Sequence, residues 1–398
     1  MRKTLFSVLF VFGFLSLFLP AKNLPRFRQQ LVDNQVGDCW AVAVADVNGD
    51  AKPDIVVVSY KPAQVLWYEN PSWKRRVIIQ DHPEFLSSIQ PLDVDGDGKM
   101  ELIVGADYYE PLDNKRGGSI WVLRRQDNLE RPWTPVKIDE EPTLHDLRAV
   151  DADGQGKTEL VVSTLLRPDK PGHKAAGASL YILRRPQDPF SDPWIREPIN
   201  SELNDKHCVL PVDWDGDGRQ ELLAAAREGI FLFAKNQQGT WHKRQISEGY
   251  RQEDKHGSSE VTVGRLQGGK RYLAAIEPHH GHQAVIYTEP EHPGQLWKRS
   301  LLIENAGGHT LCAADLSGSG VDSLLLGFVG RYNDKPGGPI LYIFHPLDSD
   351  GGRWEKTVLD NSGMPGEDGS CVDLNADGRI DVIVGGRNYI KVFWNEEK

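Results

Sequence analysis

The chain has 398 residues and a formal net charge of −11 at pH 7, long enough for two or three ordinary domains or one large repeat fold. This acidic balance argues against nucleic acid as a partner and against attraction to anionic membranes. Part of the acidity lies in short loops that recur along the chain, so bound cations would offset some of it.

A basic and then apolar segment opens the chain. Met1–Lys3 carries two positive side chains and is followed by an apolar run from Leu5 to Leu19, which is the layout of a secretory signal. The run is short for a membrane span, so we expect cleavage near Ala21; an uncleaved anchor helix is the alternative. The predicted organisation is a signal peptide at residues 1–21 and one mature domain at 22–398. The predicted location is periplasmic, cell-surface or extracellular, with no membrane span after cleavage.

The mature sequence repeats one acidic loop. Its fullest copy runs from Asp93 to Glu101, with carboxylates at the first, third, fifth and ninth positions and glycines between them. Ca²⁺ takes six to eight oxygen ligands, and this spacing supplies several from one tight turn. We therefore predict Ca²⁺ sites in the loops that keep these acids. The predicted ligands are Asp46, Asn48, Asp50 and Asp54; Asp93, Asp95, Asp97 and Glu101; Asp151, Asp153 and Glu159; Asp213, Asp215, Asp217 and Glu221; and Asp373, Asn375, Asp377 and Asp381.

Other copies of the loop have lost acids. Gln155 replaces the fifth-position acid of the third copy, and Ser317 and Ser319 replace two acids in the copy that begins at Asp315. The segment 263–270 occupies the equivalent place with no acid at all. Counting these copies gives seven units at intervals of about 47 to 62 residues, a range typical of propellers and repeat arrays.

Each unit is predicted to form four strands. An apolar strand precedes the loop and a second follows it, the third is rich in β-branched and aromatic residues, and the fourth opens near a tryptophan and alternates charged with apolar residues. The last unit ends near Asn395 without a fourth strand, whereas Arg26–Val32 is a strand without a unit. The predicted fold is therefore all-β, a seven-bladed β-propeller whose N-terminal strand completes the last blade.

The loop pattern Asp-x-Asp-Gly-Asp-Gly, followed by an acid and an apolar strand, resembles the FG-GAP/VCBS repeat family of seven-bladed propellers. The resemblance covers essentially everything after the signal segment, and it implies the fold and Ca²⁺ in the intact loops. The arrangement is also similar to the propeller of aldos-2-ulose dehydratase and related sugar eliminases, in which a metal-bearing channel site removes a proton beside a carbonyl. Integrin heads, lectins and polysaccharide lyases share the fold, so the resemblance alone does not choose a function.

Equivalent positions of the inner strands meet at the axis of a propeller. The position six residues before the first acid of each loop, or before its equivalent, is a histidine in three of the seven units: His145, His207 and His309. Only about 0.2 histidines would be expected at seven positions from the 12 in the chain. Imidazoles that converge with a carboxylate suit Zn²⁺ or another divalent transition metal. We predict a channel metal held by these histidines, with His256 as a further candidate. Alternatively, each histidine only hydrogen-bonds a neighbouring blade. The other four positions hold Trp40, Ser87, Ser258 and Glu367.

Two functions fit this pattern. The first is a secreted carbohydrate-active enzyme that performs metal-assisted β-elimination, as a dehydratase or lyase, on a keto-sugar or glycoside at the channel mouth. The second is a non-catalytic, calcium-stabilised propeller that binds glycans or proteins as a lectin or adhesion module. The predicted catalytic residues are His279, His280, Glu367, Arg227 and Arg331. The predicted substrate contacts are Trp40, Tyr108, Tyr109, Arg167, His173 and Lys174. A carbohydrate is the expected ligand, and the sequence leaves the oligomeric state open.

Four cysteines lie in the strands that precede acidic loops. We predict that Cys39, Cys208, Cys312 and Cys371 are buried free thiols, because a core of this size needs no disulfide. Pairing, in one of three connectivities, is the alternative.

Overall fold

The structure is a computed structural model, which describes residues 25–106, 118–165, 179–252, 255–278, 281–304, 308–327, 341–362 and 366–396. Within these ranges the regular structure is entirely β, with seven four-stranded antiparallel sheets and one two-stranded hairpin. This is the seven-bladed propeller that the sequence predicts. In the described part of the chain, no helix has the length and hydropathy needed to span a membrane.

The first strand, β1 (Arg26–Asp33), precedes the first blade, and the remaining strands follow in chain order. Blade 1 contains β2 (Asp38–Ala45), β3 (Asp54–Lys61), β4 (Ala63–Glu69) and β5 (Lys74–Ile79). Blade 2 contains β6 (Leu86–Leu92), β7 (Glu101–Ala106), β8 (Gly118–Arg124) and β9 (Thr134–Glu141). Blade 3 contains β10 (Leu144–Val150), β11 (Glu159–Thr164), β12 (Leu180–Arg184) and β13 (Ile195–Asn200). Blade 4 contains β14 (Cys208–Val212), β15 (Glu221–Ala226), β16 (Gly229–Lys235) and β17 (Trp241–Ser247).

A hairpin separates blade 4 from blade 5, formed by β18 (Tyr250–Gln252) and β19 (Lys255–Gly257). Blade 5 contains β20 (Val261–Arg265), β21 (Arg271–Glu277), β22 (Gln283–Thr288) and β23 (Lys298–Glu304). Blade 6 contains β24 (Leu311–Ala314), β25 (Ser323–Gly327), β26 (Leu341–Pro346) and β27 (Trp354–Asp360). Blade 7 contains β28 (Gly366–Val372), β29 (Asp381–Gly386) and β30 (Tyr389–Glu396). The strand β1 pairs with β30, from Arg26 opposite Glu396 to Leu31 opposite Lys391, and is the outer strand of blade 7.

The hydrophobic core is divided into seven layers between neighbouring blades. Successive side chains of a strand point to opposite faces, so each middle strand contributes to two layers. In β7, Val104 packs with blade 1 and Ile103 packs with blade 3. Blades therefore cover both faces of their neighbours, which explains why β7, β11 and β15 are buried along their whole length.

The antiparallel order of each blade separates two faces of the propeller. The acidic loops join the inner strand to the second strand, so they all lie on one face. The second strands end, and the third strands begin, at the opposite face. The inner strands begin at that opposite face, where the hairpin β18–β19 also lies, and the channel between them holds the candidate site.

Candidate metal centre in the channel

The three predicted channel histidines lie next to one another at the start of the inner strands. The ring centroids of His145 and His207 are 4.0 Å apart, and those of His207 and His309 are 5.1 Å apart. Trp40 extends the row, with its ring 6.4 Å from the His309 ring. Blades 3, 4, 6 and 1 thus place four rings across one end of the channel.

A carboxylate from blade 5 contacts two of these histidines. Oε1 of Glu260 lies 3.0 Å from Nδ1 of His309, with hydrogen-bond geometry. The same oxygen lies 3.0 Å from Nδ1 of His207, at ion-pair distance but without the alignment of a hydrogen bond. One oxygen therefore sits between two imidazole nitrogens.

This arrangement has the dimensions of a metal site. In the described part of the chain, ligand atoms of His207, Glu260 and His309 all lie within 4.8 Å of one another. Nitrogen and oxygen ligands at about 2.0–2.1 Å from a tetrahedral zinc ion are about 3.3 Å apart, so the two 3.0 Å contacts need only a small expansion. Two imidazoles and one carboxylate are also the donors of catalytic zinc sites, which leave a position open for substrate or water. The donor set fits Zn²⁺ or a related divalent ion.

Sequence reasoning missed Glu260 because blade 5 has a shortened loop. Blades 1 and 5 can be aligned on their second strands, where a fully buried run of six residues begins at Asp54 and at Tyr272. Ala45 pairs with Asp54 and Gly264 pairs with Tyr272, so Ala45 and Gly264 are equivalent. The first-acid position in blade 5 is therefore residue 265, one later than the sequence spacing suggests. Glu260 then stands five residues before that position. The sequence signal that could have given this alignment is Leu266, an apolar residue directly after the first-acid position. Val47 has the same place in blade 1, and both side chains are buried.

Glu260 differs from the two other acids at the same position of the inner strands. Asp146 accepts a hydrogen bond of 3.0 Å from the backbone N–H of Val209 in the next blade, and Asp368 accepts one of 2.8 Å from Val42. Both aspartates thus bridge neighbouring blades. Glu260, which is longer by one methylene, contacts the two histidines. Its carboxylate belongs to the channel site.

The hydrogen bonds of His145 define its tautomer. Its Nδ1 lies 2.8 Å from the backbone oxygen of His207, and because a carbonyl only accepts, Nδ1 carries the proton and Nε2 carries the lone pair. Burial, together with the nearby imidazoles of His207 and His309, lowers the pKa of His145 well below its usual range despite the attraction of Glu260. His145 is therefore neutral at physiological pH.

His309 titrates in the opposite direction. Burial works against its charged form, but the hydrogen bond and charge of Glu260 and the charges of Glu367 and Asp368 outweigh it, so the pKa of His309 is raised. Without a metal, the Glu260–His309 pair is thus a charge-assisted contact. A bound cation would take the place of its proton.

The channel cavity has a volume of about 430 Å³ and an excess of acidic groups. Its described lining includes one arginine, Arg148, whose guanidinium lies 2.9 Å from Asp146. The four carboxylates of the lining are Asp146, Glu260, Glu367 and Asp368. Such a cavity favours cations and uncharged ligands over anions.

The other predicted site residues have different positions. Trp40 and the buried Glu367 line the channel cavity. His256 lies on the hairpin strand β19, opposite Arg251, and is not part of the His207–Glu260–His309 group. Arg227 follows β15, with its guanidinium 3.8 Å from Asp205, and is not among the described residues that line the cavity. Eight predicted residues lie outside the described ranges: Tyr108, Tyr109, Arg167, His173, Lys174, His279, His280 and Arg331.

The acidic loops are tight turns built around their first carboxylate. In blade 2, Oδ1 of Asp93 accepts hydrogen bonds from the N–H groups of Gly96 and Asp97, and Oδ2 accepts one from Gly98. Gly96 and Gly98 have φ values of 79° and 82°, in the left-handed region that glycine adopts most readily. The backbone thus holds the side chains of one loop together.

Four of the five acids that close these loops fall into two groups. Asp93, Asp95 and Glu101 bring ligand oxygens within 4.8 Å of one another, as do Asp213, Asp215 and Glu221. In blade 1, both oxygens of Asp54 accept backbone N–H groups, from Val47 and Asn70. Asp381 in blade 7 is bonded in the same way to Leu374 and Asn395. The glutamate loops are therefore the better candidates for Ca²⁺, while the two aspartates act in the structure as staples.

The third loop has a different neutralising partner. The carboxylate of Asp153 contacts Lys235 at 2.9 Å and Arg184 at 3.0 Å. Its charge is thus already balanced by side chains, which weakens the case for Ca²⁺ in this loop.

Burial raises the pKa of Glu101 to about 7 and that of Asp54 to about 6 in the absence of a cation.

Comparisons with known proteins agree with the fold. The family model of the FG-GAP-like repeat matches residues 46–104, and the model of the aldos-2-ulose dehydratase beta-propeller domain matches residues 117–290. No curated protein sequence matches the chain. Two similar solved structures are BBS1N in complex with ARL6DN, soaked with lead (TM-score 0.56, 12% identity, 94% of this chain and 97% of that chain), and YCF48 bound to D1 peptide (TM-score 0.53, 13% identity, 96% and 100%).

At this identity the two solved structures show the fold alone. The chain is a seven-bladed β-propeller in which residues 46–104 match the FG-GAP-like repeat. Over residues 117–290 it is similar to the propeller domain of aldos-2-ulose dehydratase. That matched segment contains His145, His207 and Glu260, three of the residues that meet in the channel.

Proposed function

We propose that the protein is a metal-dependent carbohydrate enzyme that catalyses β-elimination on a keto-sugar at the channel mouth. The observation that carries the proposal is the convergence of His207 and His309 on Glu260, with both imidazole nitrogens 3.0 Å from one carboxylate oxygen. The similarity to the dehydratase propeller supports the reaction class.

The residues of the channel divide the chemistry between them. His207, His309 and Glu260 would hold a divalent ion, which when bound polarises a sugar carbonyl or hydroxyl. Elimination then needs a base for the proton beside the carbonyl. Glu367 and the neutral His145, whose Nε2 carries the lone pair, both line the cavity and are the described candidates. His279, His280 and Arg331 remain predictions for the same reaction.

The charge of the cavity supports a neutral substrate. Four carboxylates and one arginine line its described part, an excess of negative charge that a bound divalent ion would reduce but not cancel. An acidic glycan would be repelled by this excess of negative charge, whereas a keto-sugar would not. We therefore favour a neutral keto-sugar over the uronate-containing glycans on which polysaccharide lyases act.

A non-catalytic sugar-binding propeller is the second candidate. Trp40 packs edge-on against Tyr60 and Phe85, with ring centroids 5.4 and 5.3 Å away. All three rings are half-buried beside the channel mouth. An amphipathic aromatic wall of this kind suits the apolar face of a sugar ring and requires no chemistry.

We also propose Ca²⁺ in the acidic loops and export of the mature chain. The glutamate loops of blades 2 and 4 support the first proposal. The basic and apolar segment at residues 1–21 supports the second, and it lies outside the described ranges. Determining the N-terminal residue and the compartment of the protein in the native host tests export: a start near residue 22 outside the cytoplasm supports it, and an intact Met1 on cytoplasmic protein contradicts it.

A product screen distinguishes the enzyme from the binding protein. Zinc- or manganese-loaded protein is incubated with neutral keto-sugars such as D-fructose and with acidic oligosaccharides, and products lighter by one water are sought by mass spectrometry. We expect a dehydrated product from a neutral sugar, and none from the Glu260→Gln variant. Sugar binding without any product would favour the lectin-like function, and neither binding nor product would overturn both.

A further inference from the structure

Two of the four cysteines meet at the seam between blades 6 and 7. Cys312 lies on the inner strand β24 and Cys371 on the inner strand β28, and both line the channel cavity. They belong to the same apolar layer, and the neighbouring Cys312 thiol is the main reason why the pKa of the Cys371 thiol is raised. Sequence reasoning expects four buried thiols, but these two are half-buried, and only Cys39 and Cys208 are buried.

We propose that Cys312 and Cys371 form a reversible disulfide that cross-links blade 6 to blade 7 under oxidising conditions. Neighbouring thiols on adjacent inner strands of one apolar layer can reach bonding distance through side-chain and backbone adjustments. The cavity beside them gives a small oxidant access. The two other cysteines lack such a neighbour, because Cys39 belongs to the layer between blades 7 and 1 and Cys208 to the layer between blades 4 and 5.

The reaction is a thiol–disulfide exchange with a small-molecule disulfide, for which oxidised glutathione is a suitable probe. The thiolate of one cysteine attacks the probe, forming a mixed disulfide and releasing one glutathione thiolate. The second cysteine thiolate then attacks the protein sulfur of that mixed disulfide and releases the second glutathione. Two protein thiols are oxidised, one disulfide is reduced, and the released thiolates take up the two protons.

The cross-link would stabilise the propeller near its point of closure. It closes a chain segment of about 60 residues, a length at which a disulfide restricts the unfolded chain substantially. It also joins the inner strand of blade 6 to the blade that contains both ends of the described chain, β1 and β30. Separation of these two blades would then require reduction as well as unfolding.

The experiment treats the wild-type protein with oxidised glutathione, counts the remaining thiols after denaturation, and maps peptides without reductant. We expect two of the four thiols to be lost, one linked peptide pair containing Cys312 and Cys371, and a rise in Tm of about 5 °C that a reductant reverses. The Cys208→Ser variant should behave like wild type, and Cys371→Ser should form no internal cross-link and show no rise in Tm.

Four results would overturn the proposal. They are retention of all four thiols, a stable glutathione adduct in place of the cross-link, a covalent dimer, and a linked peptide that contains Cys39 or Cys208. Because the central measurement uses the unmodified chain, it does not depend on the folding of a variant.

Discussion

Replacing Glu260 with glutamine tests the channel site with little change in shape. The substitution keeps the length of the side chain and removes its negative charge. Two opposite unit charges 3.0 Å apart attract by about 5.5 kcal/mol at an effective dielectric constant of about 20, before the cost of burial is subtracted. Most of that attraction is offset in a buried pair, but a divalent ion between the same groups depends on the carboxylate more strongly.

We expect the Glu260→Gln variant to bind Zn²⁺ at least about 100-fold more weakly than wild type, a loss of about 2.7 kcal/mol. In the metal-free protein, the pKa of His309 should fall, because the hydrogen bond and charge of Glu260 raise it. Zinc affinity of the wild type should rise with pH, since His309 must lose its proton to become a ligand. Competition with a coloured chelator measures the affinity, and NMR titration of the imidazole measures the pKa.

Two matched variants separate charge from geometry. Asp146→Asn removes a carboxylate from the same cavity, and because Asp146 contacts Arg148 and a backbone N–H, zinc affinity should stay within a few fold of wild type. Glu260→Asp keeps the charge but shortens the reach, so its affinity should fall almost as far as that of Glu260→Gln. Wild-type affinity in Glu260→Gln, with correct folding shown by circular dichroism, would refute the proposed ligand set.

Three further outcomes follow from the loops and the ring closure. The pKa of Glu101 is raised by burial from its ordinary 4.5 to about 7, so its proton stabilises the chelated protein below pH 4.5, and that stability should be lost as the pH rises to about 7. Ca²⁺ or the Glu101→Gln substitution should flatten this dependence in urea unfolding, and an unchanged slope would contradict it. Asp54→Asn should destabilise the protein by roughly 1–3 kcal/mol even with chelator present, because it disturbs two buried backbone hydrogen bonds. Equal stability of wild type and variant in chelator would contradict this structural role of Asp54. Deletion of Arg26–Asp33 should leave the edge of β30 unpaired and lower Tm by about 10 °C or more, or cause aggregation; a soluble protein with an unchanged Tm would contradict a closing role for β1.

The fold was predictable because its signals repeat. The acidic loops mark the turn between the first two strands of most blades, and period-2 alternation marks the strands that share inter-blade layers. The segment at Arg26 could be assigned to the last blade by counting strands, and the structure pairs it with β30. Because the unit occurs seven times, a strand with a weak pattern can be assigned by comparison with its six counterparts.

The site was less predictable because it depends on how each inner strand departs from the repeat. His145, His207 and His309 could be found as equivalent positions, but Glu260 lies one place further on, in a blade whose loop is shorter. The difference between Asp146, which binds a backbone N–H, and Glu260, which contacts two imidazoles, is one methylene. Spacing in the sequence does not show where such a side chain points.

The channel metal is the centre of this interpretation, and elemental analysis of the protein purified without chelator tests it most directly. The comparison is with the His207→Ala, His309→Ala double variant. We expect about one zinc, manganese or nickel ion per wild-type chain, absent from the variant, while calcium is the same in both. Calcium alone, unchanged by the two substitutions, would contradict the channel site and leave a binding propeller as the better description.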